Sequence, residues 1–176
     1  MFFIFLGFII GISVSLLNYK LIYFLEQFNY LVLHGYYYEI VTSIIITNSF
    51  TDFIFNFLSM YVLYLIFGAK AGKNEYVIFL ISGILGNVLT VIFYSPLTLS
   101  SGASGGIFGL LSYYTFYDFI SKGNLGLYGL LFLIAIFGIS DFLFPNVNVI
   151  AHVGGVIGGI IYAIVYRLIS QNRKVI

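Results

Sequence analysis

The stretch GASGGIFGLLSYYTFYDFI, at positions 102–120, decides the fold class of this chain. It opens on closely spaced glycines and continues as a mostly apolar run until Lys122 and Gly123. A helix needs roughly 20 mostly apolar residues to cross the hydrocarbon core of a membrane, and about 17 at the short end. The run 104–120 therefore predicts a membrane-spanning helix.

The composition of the whole chain points to the same solvent. Of its 176 residues, 61% are hydrophobic and only 7% are charged, whereas soluble domains contain about 25% charged residues. The net charge of +1 gives no basic surface for a nucleic acid. The absence of cysteine excludes disulfides and thiolate chemistry, and we expect neither a metal nor a cofactor.

Five further runs are long and apolar enough to span a membrane. They lie at positions 2–19, 53–69, 76–94, 125–144 and 150–169. Each must be helical, because unpaired backbone amides in hydrocarbon cost several kcal/mol apiece. The sequence thus predicts an all-α membrane protein, a single domain over 1–176 built as a six-helix bundle, with the run 2–19 retained as its first helix.

The basic residues predict the orientation. With six spans, all but one of the seven basic residues fall on the side of the chain termini, and only Lys20 falls on the other. The six are Lys70, Lys73, Lys122, Arg167, Arg173 and Lys174. The excess of Lys and Arg in cytoplasmic loops places both termini in the cytoplasm, and we expect the cell membrane.

The connection over positions 20–52 is long but rich in aromatic residues, including Tyr36, Tyr37 and Tyr38. Long structureless loops are uncommon. We expect short helices in the outer leaflet, with the tyrosines at the level of the lipid headgroups. A folded cap outside the membrane is the alternative.

Glycines four residues apart open the fourth and sixth predicted helices. The pairs are Gly102 and Gly106, Gly105 and Gly109, Gly154 and Gly158, and Gly155 and Gly159. Small residues at this spacing let helix backbones approach closely. We expect these two helices to touch near their outer ends.

Ser104 and His152 are the candidate chemical groups at those ends. Ser104 suits a helix N-cap, close packing, or a nucleophile beside oxyanion-stabilising N–H groups. His152 shares a helix face with Gly155 and Gly159, and could equally be a neutral histidine bonded to a carbonyl. Together they suit nucleophilic catalysis, in which the imidazole takes the serine proton. Asp141, near the outer end of the fifth run, is the candidate for a third, acidic member.

The two motifs resemble those of rhomboid intramembrane serine proteases. The resemblance rests on Gly102-Ala103-Ser104-Gly105 and on Ala151-His152 followed by Gly155 and Gly159. It implies Ser104 as nucleophile, His152 as general base and acid, and a membrane-embedded first loop. It also implies that transmembrane proteins are cut near the outer end of their helix, within membrane lipid.

The resemblance extends to three further positions. Asn56 matches an asparagine that would hold the oxyanion together with the backbone N–H of Ser104. Phe108 matches an aromatic residue that packs against the catalytic histidine. Positions 38–42, Tyr-Glu-Ile-Val-Thr, keep only the aromatic residue and the threonine of a family motif.

Two positions depart from the family pattern. Asp52 replaces a histidine that helps to hold the oxyanion, and Glu39 replaces an arginine. Because an ionised carboxylate would repel an oxyanion, Asp52 must turn away or be protonated in a poorly solvated site. Otherwise the chain is slow or inactive.

The resemblance also implies access to the site. Substrates would enter through a lateral gate between the second and fifth spans, and a set of polar residues would keep the cavity wet. That set is Asn48, Ser49, Thr51, Ser95, Thr98, Ser100 and Ser101.

The alternative to a protease is an inactive relative that binds transmembrane segments. A channel or transporter would need repeats or midspan charges, and the sequence has no repeat and almost no midspan charge.

Overall fold

The computed structural model describes residues 2–143 and 147–172, which are mostly helical. In chain order the elements are α1 Phe2–Leu17, α2 Tyr19–Ile22, β1 Gln27–Phe28, α3 Asn29–Leu33, α4 Glu39–Ile45, α5 Phe50–Phe67, α6 Asn74–Phe93, β2 Leu99–Ser100, α7 Ser104–Ile120, α8 Gly126–Leu143 and α9 Val149–Asn172. The predicted end of the fifth run at Phe144, the adjacent Pro145, and Arg173 and Lys174 lie outside the described residues. The all-helical character predicted from the sequence is confirmed.

A helix covers most of each of the six runs predicted as spans, but α1, α5 and α6 end one or two residues before the predicted ends at positions 19, 69 and 94. Within the described residues, three helical segments are long and apolar enough to cross a membrane, namely Phe50–Phe67, Asn74–Phe93 and Val149–Ser170. Two shorter apolar helices cover Ile4–Leu17 and Gly126–Phe142.

Helix α7 differs from its neighbours because it lies at the centre of the bundle. Every residue from Gly105 to Thr115 is buried, and α6, α8 and α9 pack around it. Its buried hydroxyls bond to backbone carbonyls, as Ser112 Oγ does to Gly109 and Val156 and Thr115 Oγ1 does to Leu111. The backbone of α7 itself and that of α9 therefore satisfy these hydroxyls, and the neighbouring helices cover its surface.

Helix α5 begins three residues before the predicted start at position 53. The Ser49 hydroxyl accepts a hydrogen bond from the Asp52 backbone N–H at 3.2 Å, which caps the helix and fixes its start at Phe50. Asp52 consequently lies in the first turn of α5, one turn before Asn56.

The first connection contains the short helices α2, α3 and α4, as expected. It also contains a strand that the sequence did not predict. This strand, β1, pairs antiparallel with β2 over only two residues. Buried amides anchor the connection to α6, because Gln27 Nε2 donates to the Asn87 carbonyl and Asn29 Nδ2 donates to the Thr90 carbonyl. The side chains of Tyr36, Tyr37 and Tyr38 are exposed.

Helices α7 and α9 approach each other through their glycines. A Cβ added at Gly155 would overlap the carbonyl oxygen of Gly105, and one added at Gly159 would overlap that of Gly109. Backbone-to-backbone contact at two positions about one turn apart fixes the spacing of the two helices, and so the distance between the side chains at their first turns.

Candidate active site

Ser104 is the first residue of α7. The cap position before it is occupied by Ala103, which provides no side-chain hydrogen bond to the helix. The first N–H groups of a helix have no partner within the helix, and at the start of α7 the cap residue provides no side chain to bond them. The serine hydroxyl is directed elsewhere, and the N-cap interpretation of Ser104 is not the one observed.

The Ser104 hydroxyl meets His152, which lies in the first turn of α9. Ser104 Oγ is 2.9 Å from His152 Nε2, within the range of a good hydrogen bond. His152 is buried, with 2% of its surface exposed. The structure thus brings together the two residues that the sequence singled out, and both ring nitrogens of His152 contact side chains rather than a backbone carbonyl.

The second ring nitrogen of His152 faces the end of α8. His152 Nδ1 is 2.9 Å from Asp141 Oδ1, so the imidazole lies between a hydroxyl and a carboxylate. The Phe108 ring packs on the imidazole with its centroid 4.3 Å away, and the Phe137 ring lies edge-on at 6.1 Å. Two aromatic rings and two polar contacts therefore fix the orientation of the imidazole.

A tight turn before α7 positions Ser104. Gly102 adopts a φ of +127°, a conformation that residues with a Cβ rarely adopt, and its N–H donates to the Ser43 carbonyl at 2.9 Å. A Cβ at Gly102 would lie 2.9 Å from Asp52 Oδ2. The turn thus ties the position of Ser104 to α4 and leaves the Asp52 carboxylate beside the turn.

A cavity of about 670 Å³ opens beside these residues and includes Ser104 and His152 in its lining. Of the polar residues predicted to keep the site wet, Asn48, Ser49, Thr51, Thr98, Ser100 and Ser101 line it. Ser95 does not belong to the lining, and its hydroxyl instead accepts a hydrogen bond from the Leu97 N–H.

Asn56 and Asp52 also line this cavity. Asn56 Nδ2 and Asp52 Oδ2 are buried, and neither has a hydrogen-bond partner among the described residues. A buried donor without a partner is uncommon in folded proteins and calls for an explanation. Here the donor and the acceptor both belong to the wall of the cavity that holds Ser104.

Two acidic residues support the first connection. Glu39, fully buried, accepts a hydrogen bond from the Phe28 N–H at 2.9 Å. Glu26 accepts one from the Ser101 hydroxyl at 3.0 Å. Burial raises the pKa of both carboxyl groups, and their hydrogen bonds oppose this rise. Glu39 thus holds the connection through the backbone.

The sequence analysis missed Asn148, which caps the helix that carries His152. Its side-chain oxygen accepts a hydrogen bond from the Ala151 N–H at 3.0 Å. This bond caps the start of α9, and its donor, Ala151, directly precedes His152. Its amide nitrogen also donates to Thr90 Oγ1 at 2.9 Å on α6. An asparagine directly before an apolar run is a helix-start signal that could have identified it.

Among residues 2–143 and 147–172, no group of three or more His, Asp or Glu could hold a metal ion.

Comparison with known proteins identifies the family of the chain. The family model described as "Rhomboid domain" matches residues 34–169. A curated relative from Bacillus subtilis (strain 168), named "Putative rhomboid protease YdcA", is 28% identical over 133 residues, covering 73% of this chain and 67% of that protein. The chain is an integral membrane protein that belongs to the rhomboid family.

Proposed function

We propose that this rhomboid is a serine endopeptidase that cleaves the transmembrane helices of single-span membrane proteins near their outer end. The observation that carries the proposal is the 2.9 Å contact between Ser104 Oγ and His152 Nε2 at the wall of a polar cavity. Membership of a family whose proteases act on transmembrane substrates supports the substrate class.

The residues divide the chemistry between them. His152 takes the proton of Ser104 Oγ as that oxygen attacks the scissile carbonyl, and returns it to the leaving amine. Asn56 Nδ2 and the Ser104 backbone N–H stabilise the oxyanion. Asn56 Nδ2 is buried at the cavity wall and has no partner of good hydrogen-bond geometry among the described residues. This supports the role, because the donor can bond to a substrate carbonyl oxygen as negative charge develops on it.

Both water and substrate need a route to Ser104. The polar cavity supplies water for hydrolysis. Its lining includes Phe55 and Ser59 of α5 and Ile136 and Ser140 of α8, which supports entry of the substrate between these two helices. A scissile bond must leave its helix to be attacked, so residues that destabilise a helix in the substrate favour cleavage.

In the membrane we place α1 and α5 to α9 as six spans, with both termini in the cytoplasm and Ser104 towards the outer face of the cell membrane. The basic residues of the α5–α6 and α7–α8 connections support this orientation. The 17-residue α7 can be short because the surrounding helices, rather than lipid, cover it.

The test is cleavage of a model single-span substrate in liposomes by the purified protein. Ser104→Ala and His152→Ala should each lower the rate by about 10³-fold or more, since catalytic groups that act as a unit fail together. His34→Gln and Ser170→Ala change the same residue types away from the site and should cleave like the parent. Cleavage that survives either site substitution would contradict the proposal.

A second function is favoured by Asp52, whose carboxylate lies in the cavity beside the Gly102 turn. A rhomboid that binds transmembrane segments without cutting them could tolerate a negative charge there. Asp52→His separates the two functions. If the carboxylate weakens oxyanion stabilisation in a protease, cleavage should rise, by roughly tenfold for each 1.4 kcal/mol recovered. A pure binder would retain substrate and show no cleavage with either residue.

A further inference from the structure

We propose that Asp141 is a positioning residue that holds His152 in the tautomer able to accept the Ser104 proton, so that three residues act together in this chain. The inference rests on the proposed proteolysis at Ser104.

The contacts place the imidazole between two oxygen atoms. Asp141 Oδ1 lies 2.9 Å from Nδ1 and Ser104 Oγ lies 2.9 Å from Nε2, on opposite sides of the ring. The side chains of His152 and Asp141 are only 3% and 8% exposed. Bulk water therefore competes little for either ring nitrogen.

The identity of the partner selects the tautomer. An ionised carboxylate can only accept hydrogen bonds, so the imidazole proton must reside on Nδ1. Nε2 then presents its lone pair to Ser104, and the serine hydroxyl donates towards it. This is the protonation state that a general base requires, whereas the opposite tautomer would place an N–H against the hydroxyl.

The proton balance is complete with these groups. As Ser104 Oγ forms a bond to the carbonyl carbon, its proton moves to Nε2 and the imidazole becomes positively charged. That proton passes to the amine nitrogen as the C–N bond breaks. Water then attacks the acyl-enzyme, gives one proton to Nε2, and that proton returns to Ser104 Oγ. Asp141 stays ionised and balances the positive ring.

A purely structural role explains Asp141 less well. Apart from His152, Asp141 receives only a long hydrogen bond from the Ser140 hydroxyl to Oδ1 at 3.3 Å among the described residues. Its other oxygen, Oδ2, is buried without a partner there. No backbone N–H among those residues bonds to it, whereas the structural carboxylate Glu39 accepts the Phe28 N–H. By contrast, Asp118 Oδ2 accepts the N–H groups of Leu125 and Gly126 at 2.8 and 2.7 Å, as expected of a structural carboxylate. The charge at Asp141 complements an imidazolium that exists only during the reaction.

The kinetic test compares Asp141→Asn, Asp141→Glu and the matched control Asp118→Asn on the same substrate. Asp141→Asn should lower kcat by about 10²–10⁴-fold with KM nearly unchanged, because base catalysis is lost while substrate binding remains. Asp141→Glu should recover part of the loss by restoring the carboxylate. Asp118→Asn should lower the unfolding temperature and leave kcat of the folded protein unchanged.

The tautomer can be read without any substitution at the site. Nitrogen-15 NMR of a His34→Gln protein, in which His152 is the remaining histidine, should show the proton of the neutral ring on Nδ1. A proton on Nε2 would overturn the inference, as would an Asp141→Asn protein that unfolds at lower temperature but keeps its kcat. If the parent protein cleaves no substrate, the proposed proteolysis fails, while the NMR result still decides the role of Asp141.

Discussion

The two ends of α7 hold polar groups in different states. Towards its Ile120 end, the two oxygens of Glu75 accept hydrogen bonds from the hydroxyls of Tyr64 and Tyr114, and Asp118 accepts two backbone N–H groups. Around its Ser104 end, Asn56 Nδ2, Asp52 Oδ2 and Asp141 Oδ2 are buried without partners in the described part of the chain.

The paired groups at one end and the unpaired groups at the other indicate different roles, one in stability and one in chemistry. Buried polar groups are normally paired, and a buried group that stays unpaired costs about 1–3 kcal/mol. The polar groups at the Ile120 end follow that rule, so a role in stability is sufficient to explain them. At the Ser104 end, Asn56 Nδ2 and Asp52 Oδ2 break it in the wall of one cavity, and Asp141 Oδ2 breaks it beside His152. Unpaired donors at a cavity wall are expected where a bound molecule completes the hydrogen bonds.

The largest effect that sharpens this comparison should come from Asn56→Ala. Loss of one oxyanion donor costs about 10²–10³-fold in kcat, and KM should change little because the donor acts on charge that develops after binding. Asn29→Ala is the matched control, since Asn29 Nδ2 donates to the Thr90 and Ser95 carbonyls away from the cavity. It should lower stability by about 1–3 kcal/mol and spare kcat. Equal losses of kcat in the two variants would contradict a catalytic role that is specific to Asn56.

Gly155→Ala should have the next largest effect. A Cβ there overlaps the Gly105 carbonyl oxygen, so α9 must shift and carry His152 away from Ser104. A displacement of about 1 Å can cost about 10²-fold in rate, and overpacking costs about 1–3 kcal/mol in stability.

The control for Gly155→Ala is a glycine with space around it. A Cβ added at Gly138, in α8, meets no described atom within 4 Å, so Gly138→Ala should keep its activity and equal or exceed the parent in unfolding temperature. Cleavage rates and thermal unfolding of both variants in detergent provide the measurement. Full activity of Gly155→Ala would show that the glycine contact does not set the Ser104–His152 distance.

The smallest effect on chemistry should come from Glu75→Gln, at the opposite end. One tyrosine hydroxyl keeps an oxygen acceptor and the other meets an amide, so the free energy of unfolding should fall by about 1–3 kcal/mol. The cleavage rate per folded molecule should stay at the parent value, as measured by kcat after correction for the folded fraction. A selective fall in kcat with unchanged stability would contradict a structural role for this end.

Much of the architecture could be predicted from apolar run lengths, because lipid permits few alternatives to a helix. The bounds of α7 matched the prediction, whereas α5 began earlier because the Ser49 cap outweighed the hydropathy pattern. The pairing of β1 with β2 was invisible, since two-residue strands carry no periodic signal.

The site divides in the same way. Ser104 and His152 could be singled out from glycine spacing and local motifs. Asp141 could be named as a candidate only from its place near the outer end of the fifth run. Its contact with His152 could not be predicted, because that contact depends on how the end of α8 meets α9, eleven residues away in sequence. Asn148 was missed although it carries a recognisable capping signal. Long-range contacts between helix ends thus remain the part that local patterns do not reveal.

The central claim is that His152 activates Ser104 as a nucleophile. The direct measurement is the labelling of the folded protein by a fluorophosphonate probe, followed by peptide mapping of the modified residue. We predict one labelled serine, Ser104, with a labelling rate that falls by about 10²-fold or more in His152→Ala. Labelling at another residue, or a Ser104 labelling rate that His152→Ala leaves unchanged, would contradict the account.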